Sequence, residues 1–125
     1  MQKIQMPLGM FSVGSVIQIE FAYEDKPTKS KRRPAIVIDF DNDNTRVMVL
    51  KVTTKGIRTQ YDYEITDYDM ANLKAGSVVR CNHTLTLPNN YKCEKHSNLS
   101  RRDYLAVNIL YNQAIQNNSL QEINN

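Results

Sequence analysis

Two apolar runs separated by a short polar segment dominate the hydrophobic pattern of the chain. They span residues 34–40 and 47–52, and both are rich in Val, Ile and Leu. The segment between them, D-N-D-N-T, has the short polar side chains that favour turns. The pattern predicts a hairpin whose strands are buried on both faces, in the middle of a sheet. Such a hairpin brings Arg33, where the chain enters the core, close to Thr53 and Thr54, where it leaves.

Three further segments alternate apolar and polar residues with the period of a strand. They span residues 16–21, 61–65 and 77–87. Along the longest of them, strict alternation places Arg80 and Asn82 on one face, together with Val78, Thr84 and Thr86. The same alternation places Val79, Cys81, His83, Leu85 and Leu87 on the other face.

The most regular helical pattern begins after Ser100. Ser100 followed by Asp103 resembles a capping box, and Leu99 with Tyr104 has the spacing of a hydrophobic staple. One helical stripe then collects the apolar residues Tyr104, Val107, Leu110, Tyr111 and Ala114. The pattern predicts a helix of about four turns lying on the sheet. A second, shorter helical turn is expected after Asp67, which is a residue type that caps helices.

The remaining segments complete a single-domain organisation. We expect a flexible leader over residues 1–10, one domain over 11–116 and a polar tail over 117–125. The polar segment from Ala22 to Arg33 is predicted to be a mobile loop. Five or six short strands with one terminal helix indicate a mainly β (α+β) fold, a small β-barrel that is closed or half open.

Composition and charge indicate the class of protein and its expected location in the cell. The chain has 125 residues, 41% of them hydrophobic and 23% charged, as in ordinary globular proteins. No apolar run approaches the ~20 residues that cross a bilayer, and the first residues are too polar for a secretory signal, so we expect a cytoplasmic location. The net charge of +3 is mild, but basic residues crowd together at Lys26, Lys29, Lys31, Arg32 and Arg33.

Cysteine and histidine residues raise the question of a metal site. Cys81, His83, Cys93 and His96 are zinc ligand types, but their spacing matches none of the usual structural zinc patterns. We therefore expect free thiols, no metal site and no cofactor. A nucleophile elbow and a glycine-rich phosphate loop are also absent from the sequence.

The polar residues around the hairpin suit the chemistry of RNA. Arg33, Thr53, Arg80 and Asn82 supply two guanidinium groups, a hydroxyl and an amide. Arginine pairs bidentately with phosphate oxygens and keeps its charge at any useful pH. RNA can be cleaved without a metal when its own 2′-hydroxyl attacks the neighbouring phosphate, provided that a proton acceptor, a proton donor and cations are present.

Several motifs resemble those of the PemK/MazF (Kid-like) family of toxin ribonucleases. They are G-S-V-I-Q-I-E-F at 14–21, K-R-R-P-A-I-V-I at 31–38, V-T-T at 52–54, V-V-R-C-N at 78–82 and L-S-x-x-D at 99–103. The resemblance spans residues 13–115. It implies an SH3-like barrel with a C-terminal helix, a homodimer, metal-independent cleavage of single-stranded mRNA, and inhibition by a cognate antitoxin protein.

The resemblance also implies roles for individual residues. Arg33, Thr53 and Arg80 match the family's catalytic positions: phosphate contact, substrate positioning and proton donation. We also assign substrate binding to Lys31, Arg32, Thr54, Ser77 and Asn82. Asn82 stands where one branch of the family has an aspartate base, and a neutral amide cannot accept the 2′-proton in the same way. Glu24 or Asp25, in the first loop, is then the candidate base.

Two alternatives stay open at the level of the sequence. One is an SH3-like module that binds nucleic acid or protein without catalysis, which the neutral Asn82 favours. The other is a CcdB-like gyrase poison on the same fold, against which the R-P and T-T motifs argue.

Overall fold

The computed structural model of the protein describes residues 5–22 and 30–123. Within these ranges the chain forms β1 (Gln5–Pro7), a 3-10 turn (Leu8–Met10), β2 (Ser15–Ala22), β3 (Ser30–Phe40), β4 (Arg46–Thr53), β5 (Asp62–Glu64), β6 (Val78–Pro88), β7 (Lys92–Asn98), α1 (Arg101–Gln116) and β8 (Gln121–Glu122). The fold is therefore mainly β with a C-terminal helix, as predicted. In the described part of the chain, no helix has both the length and the hydropathy needed to cross a bilayer.

The strands form one open sheet in the order β1-β7-β2-β3-β4-β6-β5, and β8 pairs with β6. All pairings are antiparallel except that of β6 with β8, which is parallel. The predicted hairpin is formed by β3 and β4, which occupy the middle of the sheet. Both strands carry fully buried residues on both faces, as their continuous apolar runs indicated.

Two apolar clusters cover opposite faces of this sheet. The first cluster contains Ile17, Val37 and Val49, and we call its side the barrel face. The second contains Ile36 and Leu50 from the alternate positions, together with the α1 residues Val107 and Tyr111; we call its side the helix face. Buried area at ~25 cal/mol per Å² makes these two clusters the main source of stability.

Helix α1 begins as the sequence predicted. The Ser100 side chain accepts a hydrogen bond from the Asp103 backbone N–H at 3.3 Å, which is the N-cap interaction. Val107, Tyr111 and Ala114 are buried against the sheet. Gly14 lies under the helix with φ +87, and a side chain there would meet the Tyr104 ring at 3.3 Å. A residue with a Cβ would therefore be strained at position 14 in both conformation and space.

The predicted faces of β6 are wrong because the strand contains a bulge. Leu50 pairs with Thr84, whereas the next residue, Lys51, pairs with Arg80. The extra residues of β6 reverse its alternation, because a bulge re-aims the side chains that follow it. Val79 and Cys81 consequently belong to the helix-face cluster. Leu85 and Leu87 belong to the barrel-face cluster instead of sharing a face with them.

Both ends of the chain are more ordered than the sequence predicted. Within the expected leader, β1 pairs with β7 and Leu8 is fully buried. Within the expected tail, β8 pairs with β6, and the Ile123 N–H donates to the Thr84 carbonyl at 2.7 Å. Neither segment carries a strong apolar pattern; each gains its structure from a partner strand. Residues 1–4 and 124–125 lie outside the described residues.

Two local predictions also differ from the structure, and a third is confirmed. The segment from Ala22 to Arg33 is not a loop throughout, because β3 already begins at Ser30 and pairs with β2. The polar strand β7 was missed, and it is held between β1 and β2. After Asp67 the chain makes the expected short helical turn, in which the Ala71 N–H donates to the Asp67 carbonyl at 3.1 Å, and the Asp67 carboxylate accepts from the Arg102 side chain at 2.8 Å.

Candidate functional site

The candidate site lies where β3 and β4 diverge. Their pairing ends at Ala35 and Lys51, so Arg33 and Thr53 stand on the two branches of a fork. A pocket of about 280 Å³ lies at this fork and is bordered by both residues. The hairpin therefore brings Arg33 and Thr53 together, as the sequence indicated.

Most of the predicted substrate-binding residues line the same pocket. Arg32, Thr54 and Ser77 border it. Arg32 also forms an ion pair with Glu94 at 3.0 Å, while about half of the Arg32 side chain stays exposed. The Lys31 side chain lies outside what the structure describes. The pocket thus combines two guanidinium groups with hydroxyl groups, which is a donor set suited to phosphate oxygens.

Strand alternation directs the side chains of Arg33, Lys51 and Thr53 toward the barrel face. Arg33 is directly opposite Ile19, and Thr53 lies two residues beyond Lys51 and four beyond Val49. Since Ile19 and Val49 belong to the barrel-face cluster, Arg33, Lys51 and Thr53 project toward that face. Thr53 is buried, and its Oγ1 accepts from the Lys55 N–H at 3.2 Å.

Arg80 reaches the barrel face from the neighbouring strand. It lies between Val79 and Cys81, which face the helix, and it is paired with Lys51 across β4 and β6. The structure thus brings the three residues predicted to be catalytic, Arg33, Thr53 and Arg80, to one end of one face. Arg80 does not border the pocket at the fork; it lies beyond Lys51.

The Arg80 guanidinium is held by a buried carboxylate that the sequence did not single out. Its Nη1 donates to Asp62 Oδ2, and both side chains are almost completely buried. The same oxygen accepts from the backbone N–H groups of Arg58 at 2.8 Å and Thr59 at 3.2 Å. Asp62 Oδ1 is buried without a hydrogen-bond partner. The only sequence signal for Asp62 was its place on the polar face of a short alternating strand.

Asn82 lies apart from the pocket, within the bulge of β6. It is buried, and its Nδ2 donates to the Ser119 carbonyl at 3.4 Å. Its neighbour His83 has a lowered pKa, first because burial disfavours the imidazolium and then because the positive charges of Lys51 and Arg80 repel it. His83 is therefore a neutral imidazole near pH 7 beside a cationic cluster.

A second polar cluster fixes β5, and with it Asp62, against the helix. The Asp103 carboxylate accepts from the Tyr63 hydroxyl at 2.6 Å and from the N–H groups of Thr66 at 3.1 Å and Asp67 at 2.8 Å. Burial works to raise the pKa of Asp103, but these hydrogen bonds outweigh it and the pKa is lowered. Asp103 is thus an ionised anchor that joins α1 to the segment after β5.

The two cysteines lie on opposite faces of the sheet. Cys81 belongs to the helix-face cluster and Cys93 to the barrel-face cluster. Burial raises the pKa of Cys81 to about 12 and that of Cys93 to about 11, so both are protonated thiols at neutral pH. Within residues 5–22 and 30–123, no three His, Cys, Asp or Glu side chains converge as a metal site would require. The candidate bases Glu24 and Asp25 lie outside the described residues.

Comparison with known folds places the chain among toxin structures. It resembles an endoribonuclease in complex with its cognate antitoxin from a mycobacterial species, with a TM-score of 0.64 at 14% identity, covering 83% of this chain and 93% of that one. It also resembles two crystal forms of MazE-MazF from Deinococcus radiodurans, each with a TM-score of 0.65 at 14% identity, covering 85% of this chain and 96% of the other. At this identity the likeness shows a shared fold.

Sequence comparison identifies the family. No curated protein sequence matches the chain. The family model described as the PemK-like, MazF-like toxin of type II toxin-antitoxin systems matches residues 12–114, which include all of the motifs and every residue of the fork. This chain therefore belongs to the PemK-like, MazF-like toxin family.

Proposed function

We propose that this protein is an endoribonuclease toxin that cleaves single-stranded mRNA at short sequences. In this proposal the 2′-hydroxyl of the RNA attacks the adjacent phosphate, without a metal ion or cofactor. A cognate antitoxin inhibits the protein, which acts as a cytoplasmic homodimer. The antitoxin is inferred from the family and from similar folds that are described in complex with an antitoxin.

One observation carries the catalytic part of the proposal. Arg33, Thr53 and Arg80 come from three different strands and converge on one end of the barrel face. Arg33 is half-buried at the fork, where its guanidinium can contact a phosphate and stabilise the charge that develops in the transition state. Thr53 positions the substrate, and Arg80 stabilises the leaving group.

Because residue 82 is an asparagine, the proton acceptor in this scheme is a carboxylate from another position. Asp62 is buried in an ion pair with Arg80. Its carboxylate therefore does not reach the substrate. Glu64, two residues along β5, projects to the same face and is exposed. It joins Glu24 and Asp25 as a candidate for the group that accepts the 2′-proton.

The proposal is tested by incubating the protein with a long RNA of mixed sequence in EDTA. We expect discrete fragments that carry 2′,3′-cyclic phosphate ends, which only attack by the 2′-hydroxyl leaves. Intact RNA beside a folded protein would refute the proposal. Fragments that appear only after addition of a divalent cation would refute its metal-independent part.

A second candidate function is RNA binding without cleavage. Its supporting observation is that Arg80 is only 5% exposed and is tied to Asp62, and that Asn82 is neutral. A module of this kind would bind RNA with an affinity that falls steeply with salt. It would yield no cyclic-phosphate ends in the assay above.

A further inference from the structure

We infer that the pocket at the fork holds a single unstacked RNA base, and that Asn72 and Gln18 are the residues that select it. The inference rests on the proposed function, because it assigns the sequence preference of the same site. Both side chains border the pocket, together with Arg33 and Thr53. A base held there would belong to a nucleotide beside the phosphate that is cleaved.

Part of the pocket wall is apolar and continues the core of the helix face. Val52 belongs to the helix-face cluster, and Leu73 packs against that cluster. Pro34 also borders the pocket. Apolar walls with a few placed polar groups are typical of sites for organic ligands, and they offer a phosphate no hydrogen bond. The face of a base can be buried against such a wall.

Two carboxamide groups reach this pocket from different parts of the chain. Gln18 lies on β2 opposite Pro34, and alternation with the buried Val16 directs it to the helix face. Asn72 comes from the segment between β5 and β6. A carboxamide carries both donors and an acceptor, so it can pair bidentately with the edge of a base. A phosphate only accepts hydrogen bonds, whereas unstacked RNA bases are recognised through both kinds of group on their edges.

Both carboxamides have hydrogen-bonding capacity that the chain does not use. Among the residues that the structure describes, the one side-chain hydrogen bond of Asn72 is long, with Nδ2 3.4 Å from His96 Nδ1. Its carbonyl oxygen therefore remains available. Gln18 is half-buried, and its side chain makes no hydrogen bond within residues 5–22 and 30–123. A base would supply the partners that these two amides lack.

Hydrogen bonds fix the segment that carries Asn72. Asn72 has a φ of 54°, the left-handed conformation in which helical turns commonly end. The Leu73 N–H donates to the Tyr68 carbonyl at 2.9 Å, which completes this cap. The Ser97 hydroxyl, on β7, donates to the Ala71 carbonyl. The Asn72 side chain is thus presented from an ordered backbone, and little conformational entropy of the backbone is lost on binding.

The test removes each carboxamide without changing the backbone. Asn72→Gly keeps the left-handed conformation, which glycine adopts freely, and Gln18→Met keeps the length of the side chain. Asn44→Gly is the matched control, because Asn44 is exposed, has a φ of 58° and lies outside the pocket, between β3 and β4. Two quantities are measured on each folded variant. They are the base frequencies around the cuts in a long RNA of mixed sequence, and the base frequencies in a randomised 2′-deoxy pool, which cannot be cleaved, after selection for binding.

We expect the wild-type protein to prefer one base at a position beside the cut. Asn72→Gly and Gln18→Met should each reduce this preference at least about fivefold, as loss of a bidentate contact would, and leave other positions unchanged. Asn44→Gly should change none of them. No preference in the wild type, an unchanged preference in either pocket variant, or an equal change in Asn44→Gly would overturn the inference. If the wild-type protein binds but does not cleave, the proposed catalysis fails, and the selected pool alone decides the inference.

Discussion

The two faces of the sheet satisfy their buried charged groups to different degrees. On the helix face, Asp103 accepts three hydrogen bonds, and Asp67 is matched by a bidentate Arg102. On the barrel face, one oxygen of Asp62 pairs with Arg80 and accepts from two backbone N–H groups, while its other oxygen is buried without a hydrogen-bond partner. The first arrangement is complete within the chain. In the second, one buried acceptor oxygen has no donor within the described part of the chain.

In the proposed function, the first set of charges holds the fold and the second lies beside the substrate. A carboxylate with both oxygens engaged, such as Asp103, joins two segments and has little capacity for a ligand. Cations placed side by side in a sheet cost stability, and here the buried Asp62 carboxylate offsets the charge of Arg80. The following variants test whether the two faces differ in this way.

The largest effect on stability is expected from Asp62→Ala. The substitution leaves the Arg80 guanidinium buried without its carboxylate, and breaking a buried pair in this way costs about 3–5 kcal/mol. Urea denaturation measures the change in the free energy of unfolding. The double variant Asp62→Leu with Arg80→Met should recover most of the loss, since it removes both charges. A loss below about 1 kcal/mol in the single variant would mean that water or another side chain compensates the charge of Arg80.

A somewhat smaller effect is expected from Asp103→Ala on the helix face. It removes the acceptor of the Tyr63 hydroxyl and of two backbone N–H groups. Unsatisfied buried donors cost about 1–3 kcal/mol each, and partial access to water should limit the sum to about 2–4 kcal/mol. The exposed Asp69, in the same segment, provides the control, because Asp69→Ala should stay within about 0.5 kcal/mol. Equal effects at the two positions would contradict the anchoring role of Asp103.

The smallest effect is expected from the exposed pair of Asp67 and Arg102. Hydrogen bonds from Arg102 lower the pKa of Asp67 from 3.8 to about 2. Because the pKa is lower in the folded state, the pair stabilises the protein above pH 3.8 and loses this effect as the pH falls toward 2. Thermal melts of wild type and Arg102→Ala should therefore differ slightly at pH 6 and converge near pH 2. A difference that grows on acidification would contradict the assignment.

The sequence revealed those parts of the fold whose signals are local. The hairpin β3–β4 was visible because its apolar runs are dense, and α1 was visible because Ser100 caps it and its stripe is regular. The strands β1, β7 and β8 escaped prediction because they are short or polar and depend on pairing with distant segments. The bulge in β6 was invisible because nothing in its alternating sequence marks the reversal.

The same distinction applies to the site. Arg33 and Thr53 were placed together by a hairpin that the sequence predicts, and both residues border the pocket at the fork. The partnership of Arg80 with Asp62 depends on the register of β5 against β6, which no local pattern sets.

The central claim, that the barrel face carries the chemistry, is tested most directly by comparing Arg33→Ala with Arg32→Ala. Adjacent residues of a strand project to opposite faces, and both border the pocket. We expect Arg33→Ala to lower kcat for RNA cleavage by about 100-fold or more, as loss of one transition-state contact worth ~3 kcal/mol would. Arg32→Ala should instead raise KM a few-fold and leave kcat near the wild-type value. Unchanged kcat in Arg33→Ala, or an equal loss of kcat in Arg32→Ala, would contradict the claim.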